Sequence, residues 1–220
     1  MACIERRLSE MGLVLPAPLK TPAGRLPFAM ARIVGARVLI AGHGPLNPDG
    51  SLAAPLGKVG REVSAAEAYA LARLTGLALL GSHKRAIADL DRVRAWTRVF
   101  GMVNVAPGFN DTPSVINGFS DLILELYGPE VGAHARSAVG MAELPFNTAV
   151  EIEAEGVKPF LAEGVRSGQS GVGIDGHRHH RRSRPAGEQI KVAEVDARIF
   201  ACGRRVEMMG HRQPRQGAHS

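Results

Sequence analysis

Residues 134–155, HARSAVGMAELPFNTAVEIEAE, gather the groups best suited to chemistry. They read as two strands joined at a Leu144-Pro145 corner. In the second strand, period-2 alternation puts Val150, Ile152 and Ala154 on one face and Glu151, Glu153 and Glu155 on the other. A row of like charges wants water or a cation. Arg136, near the head of the first strand, is expected to face that row. A guanidinium held there offers a planar fork of donors for the carboxylate of a small substrate. A surface ion pair beside an amphipathic sheet gives the same pattern, so the residues alone leave both readings open.

Other candidates are more scattered. Gly42-His43-Gly44-Pro45 closes a predicted strand, and two glycines around His43 imply close backbone approach, to packed structure or to a ligand. The segment lacks the GK[ST] ending of a P-loop. Asn117 sits beside the apolar stripe of a predicted helix, where an amide either satisfies backbone or reaches a cleft. His43 and His134 are isolated in sequence, and a lone histidine is more often structural than catalytic. Cys3 and Cys202 form neither a CxxC nor a disulfide framework, which fits a reducing cytosol.

The elements that must position these groups follow from pattern. Ile4, Leu8 and Met11 have helical spacing, and the proline-rich segment after them ends any helix. Residues 31–41 read as a hairpin around Gly35-Ala36, with a turn at Asn47-Pro48-Asp49-Gly50. Ser64 and Glu67 form a capping box for a helix predicted to end near Gly81. Residues 92–104 read as a strand with Val93, Ala95, Thr97 and Val99 on one side. Its other side would carry Trp96, Phe100 and Met102, a face suited to another subunit. Pro113 opens a second helix, whose stripe of Ile116, Phe119, Leu122, Ile123 and Leu126 runs to Gly128. This order predicts an α+β domain: one sheet covered on one face by two helices, the other face buried by self-assembly.

The chain has 220 residues, 45% hydrophobic and 22% charged, enough for one core. No apolar run is long enough for a membrane span, and the N-terminus lacks the apolar region of an export signal. The formal charge of +6 is uneven: residues 161–220 hold 11 of the 27 Lys and Arg but only 6 of the 21 Asp and Glu. The basic character therefore belongs to the tail and is no nucleic-acid signal for the predicted domain at 1–158. Residues 159–220 are Gly-, His- and Arg-rich without period and read as disordered. His177, His179 and His180 lack the spacing of a built metal site. The basic run 178–184 has no aromatic platform for specific nucleic-acid binding.

ARSAVGMAELPFNTAVEIEAE resembles the C-terminal signature of the RidA/YjgF family of reactive intermediate deaminases. LIAGHGPLNPDG and VINGFSDLILELYG resemble its glycine turn and second helix, in the right order. The resemblance covers roughly residues 20–157 and is nearest to a longer bacterial branch. It implies the chorismate-mutase-like (YjgF-like) α+β fold and a homotrimer whose sheets close a central barrel, with ligand clefts between subunits. It further implies cofactor-independent hydrolysis of reactive 2-imino and enamine acids to 2-oxo acids and ammonia. Arg136 would hold the substrate carboxylate and Glu151 would position the attacking water. Asn117, Gly42 and its neighbour His43 would complete the substrate cleft, with no metal and no organic cofactor. The partners implied are a small carboxylate-bearing molecule and further copies of the chain, in the cytoplasm, without specific nucleic acid or membrane. A small-molecule sensor on the same scaffold is the alternative, and an endoribonuclease a weaker one. The chain departs from the family pattern at Ala41, which replaces a hydroxyl residue, at Ala138, which replaces a cysteine, and at His43. The aromatic that closes the cleft has no clear match, with Phe28 as a candidate.

Overall fold

The computed structural model describes residues 3–21, 24 and 26–159; the predicted tail and its histidine cluster lie outside the described residues. Among the described residues five strands form one sheet: β1 (Ala31–Val34), β2 (Arg37–His43), β3 (Ala95–Asn104), β4 (Ala135–Met141) and β5 (Val150–Val157), in the order β1-β2-β5-β3-β4. Only β3 and β4 are parallel. Helices α2 (Ala65–Ile87) and α3 (Thr112–Gly132) pack against it, and a short α1 (Cys3–Glu10) precedes them. Their apolar stripes meet Val38, Val99, Val103 and Ile152 in one core.

Local chemistry accounts for the helices. Ser64 and Glu67 make the reciprocal capping box expected of them. The helix nevertheless runs past Gly81 to Ile87. Gly81 is not a stop; it leaves room for the N-terminal segment, since a Cβ there would come within 3.3 Å of Pro16 O. In α3, Gly128 takes φ 72° and breaks the helix, which resumes through Pro129. The Asp91 carboxylate caps α1 by accepting from Ile4 N at 2.8 Å, and Ile4 and Leu8 are buried.

Two expectations about the sheet need correcting. The strands around the Leu144-Pro145 corner are not neighbours, because β3 lies between β4 and β5. And Trp96 does not share the open face with Phe100 and Met102. A register shift between Trp96 and Arg98 reverses the alternation, so Trp96, 1% exposed, packs edge-on against His83, Phe119 and Tyr127.

The helices touch where glycine permits it. A Cβ on Gly118 of α3 would overlap the carbonyl oxygen of Tyr69 in α2, a backbone atom that cannot swing away. Gly118→Ala is therefore expected to destabilise the domain by about 3 kcal/mol, the upper range for overpacking. A thermal or urea melt checks this; an unchanged midpoint would show that the helices part at little cost.

Two buried histidines make stability acid-sensitive. His43 and His83 are both pushed down to about 4, chiefly by burial, and neither ring nitrogen of His83 has a hydrogen-bond partner. Unfolded, each takes up a proton near pH 6.5. The folded state then binds fewer protons than the unfolded state between about pH 6.5 and 4. Stability is complete above that window and falls through it by about 3 kcal/mol per histidine. Urea midpoints at pH 7.5 and 5 measure about two-thirds of the loss, about 2 kcal/mol per histidine, and His83→Phe should reduce it.

Candidate functional site

Arg136 lies on the edge strand β4, opposite buried Val99 of β3 in parallel register, so it points to the helical side of the sheet. There α3 presents Pro113, Asn117 and Ser120, spaced i, i+4, i+7 along one stripe. Arg136 Nη1 donates to Asn117 Oδ1 at 3.0 Å and to Ser120 Oγ at 2.9 Å, and Nη2 makes a long contact of 3.4 Å to Pro113 O. All three acceptors are neutral. Among the described residues no carboxylate pairs with Arg136. The edge formed by Nε and Nη2 is the one a carboxylate grips bidentately, as Glu155 does with Arg37 at 2.7 and 2.8 Å.

The array extends further than the sequence suggested. Ser120 takes the Arg136 proton on Oγ and gives its own to His134 Nε2 at 3.0 Å, while His134 Nδ1–H donates to Gly132 O at 2.7 Å. Those bonds fix the neutral tautomer with an acceptor at Nε2. Burial, with the Arg136 charge assisting and the Gly132 bond opposing, lowers the His134 pKa and keeps it in that form. His134 is thus not isolated. The available signal was spacing: Ser120 follows Asn117 by three residues on a helix, and His134 precedes Arg136 by two.

Glu151 lies on the other face. It pairs in register with Met102 of β3, with Glu153 opposite Phe100, on the side no described helix covers. Its carboxylate presses against Gly42, where a Cβ would overlap Oε1. Glu151 is half-buried, and burial first, then the neighbouring Glu153 charge, raises its pKa. Among the described residues no cation or hydrogen-bond donor to the carboxylate opposes this shift.

The structure therefore makes two half-sites within one chain. Arg136 and Asn117 stand together, as do Glu151 and Gly42, but the two pairs occupy opposite faces of the sheet. Arg136 does not neutralise the glutamate row; Arg37 does, at Glu155. His43 departs from its neighbour Gly42. Its ring turns to the helical side, 4% exposed, with Nδ1–H on Ala41 O at 2.6 Å and Nε2 accepting from Ser82 at 2.7 Å. Phe28, 58% exposed, closes nothing in the single chain. Cavities of about 300 and 280 Å³ occur elsewhere, and neither is lined by Arg136, Asn117, Gly42 or Glu151. No described cluster of three His, Cys, Asp or Glu residues is able to hold a metal ion, and no described helix is long and apolar enough to cross a membrane.

Comparison with known proteins places the chain in a family. The family model described as "YjgF/chorismate_mutase-like, putative endoribonuclease" matches residues 5–153. The chain is 35% identical over 151 residues to "Protein TCP17" of Trypanosoma cruzi, covering 69% of this chain and 91% of that protein. Its fold resembles a protein of unknown function, Atu1372 of Agrobacterium tumefaciens, at 37% identity and a TM-score of 0.65, over 71% of this chain and 93% of the other. It also resembles a "putative endoribonuclease" of Shewanella oneidensis at 28% identity and a TM-score of 0.64, over 70% and 98%.

Proposed function

For this chain, which belongs to the RidA/YjgF family, we propose cofactor-independent hydrolysis of small 2-imino or enamine acids to 2-oxo acids and ammonia. The observation that carries the reading is Arg136, a guanidinium held by Asn117, Ser120 and Pro113 with no carboxylate partner among the described residues. Its unused fork grips the substrate carboxylate. A protonated imine is already electrophilic, so the remaining needs are a placed water and a proton acceptor. Glu151 supplies the acceptor, and the raised pKa makes its carboxylate a stronger base than an ordinary exposed glutamate. Water adds to the imine carbon as Glu151 takes its proton. That proton then passes to the nitrogen. As ammonia leaves, the Glu151 carboxylate takes the carbinol proton and the oxygen becomes the ketone. The proton goes on to the released ammonia or to solvent. Backbone groups at Gly42 hydrogen-bond the reacting nitrogen or oxygen.

Because Arg136 and Glu151 of one chain face opposite ways, one ligand reaches both only if a second copy contributes. The open face, with half-exposed Phe100, Met102 and Val139 and 37%-exposed Leu39, is the surface that copy covers. A homotrimer closing its sheets into a barrel satisfies both demands. The test generates iminoacids with an amino-acid oxidase and follows their loss with a carbonyl-trapping amine. Faster loss of carboxylate-bearing imines, but not of imines lacking the carboxylate, supports the reading.

A second reading, ligand binding without turnover, is favoured by Ala41 and Ala138, which offer no hydroxyl or thiol to the cleft. Endoribonuclease activity has less support. His43 lies on β2 and His134 just before β4, three strand positions away in the sheet, and each is tied to a serine and a carbonyl, so they form no acid–base pair.

A further inference from the structure

We propose that the pocket between the N-terminal segment, β2 and the end of α2 binds a small organic carboxylate through Arg85, at a site separate from Arg136. The cavity measures about 280 Å³ and is lined by Leu26, Met30 and Leu46 with His43, Ser82 and Arg85 as its polar groups. Its hydrogen bonds are directional. Arg85 Nη2 donates to Ser82 Oγ at 2.9 Å, Ser82 gives its proton to His43 Nε2 at 2.7 Å, and His43 Nδ1–H is taken by Ala41 O at 2.6 Å. The serine proton and both imidazole nitrogens are thus committed. The donors left over belong to the guanidinium, whose other hydrogen bond among the described residues is a long one to Pro16 O at 3.4 Å. No described carboxylate pairs with Arg85, and burial lowers its pKa with no anion to offset it.

A pocket with spare donors, a net positive charge and apolar walls selects an acceptor, and an anionic one. Its volume equals about nine waters at roughly 30 Å³ each. That admits a short carboxylic acid with an apolar body. A single guanidinium without a lysine or helix N-terminus suits a carboxylate better than a doubly charged phosphate. The Arg–Ser–His–carbonyl chain repeats the order found at Arg136, Ser120, His134 and Gly132. The strands bearing His43 and Arg136 stand three strand spacings apart in the sheet, or about 14 Å, so the two are different sites.

The test titrates benzoate into the full chain carrying Arg136→Ala, which removes the other carboxylate grip, while the His43 Cε1–H proton resonance is followed. A saturable shift is expected. Adding Arg85→Met should weaken it at least tenfold. So should Ala86→Leu, which narrows the pocket and leaves the guanidinium in place. Absence of a saturable shift, a shift that survives both substitutions, or an equal response to inorganic phosphate would overturn the proposal. Because Arg136 is absent throughout, none of these outcomes depends on whether iminoacids are turned over.

Discussion

Replacing Arg136 by alanine is expected to lower kcat/KM for a carboxylate-bearing iminoacid by roughly 30-fold to several thousand-fold, from about 2–5 kcal/mol of lost transition-state binding. The fold should survive. Among the described residues Arg136 has neutral partners alone, so its loss leaves no buried counter-charge stranded there. Asn117 is exposed and Ser120 half-buried, so both turn to water. Arg136→Lys should recover only part of the rate, because an ammonium lacks the planar fork. Thermal melts run beside the kinetics separate the causes. A rate loss matched by a collapse of the melting midpoint or of the assembly would make Arg136 a structural group.

Glu151→Gln keeps the shape at Gly42 and removes the proton acceptor, and is expected to cost roughly 100-fold to 10,000-fold in kcat. The pH profile carries the sign. Burial and Glu153 raise the Glu151 pKa, so activity should fall, as pH drops, already above the ordinary carboxylate range. Glu151→Gln should abolish that limb. The two half-sites allow a further check. Mixed assemblies of Arg136→Ala and Glu151→Gln chains should regain activity that neither variant has, because one chain supplies the guanidinium and its neighbour the carboxylate. No recovery from demonstrably mixed assemblies would place both groups in one subunit and contradict the geometry.

Much of this was legible from residue patterns. The capping box, the stripe of α3 and the Gly35 hairpin each rest on local chemistry, and each appears where its residues require it. The period-2 alternation of β5 placed the glutamate row correctly. What failed depends on distant neighbours. One register shift at Trp96 moved the largest side chain from the open face to the core, and no local pattern announces a bulge. Strand order placed β3 between β4 and β5, which separates Arg136 from the glutamates that follow it in sequence. Gly81 reads as a helix stop unless the N-terminal segment is known to cross it. The Ser120–His134 support of Arg136 was encoded in spacing, yet it becomes meaningful only once α3 lies beside β4.

The most direct test of the central claim is the rate of ammonia release from iminoacids generated in the presence and absence of the wild-type chain, over several side-chain sizes. The account predicts release above the uncatalysed rate, proportional to protein concentration and suppressed by an excess of a 2-oxo acid, which competes for the Arg136 fork. Release at the uncatalysed rate for every iminoacid, from a folded and assembled protein, would contradict it.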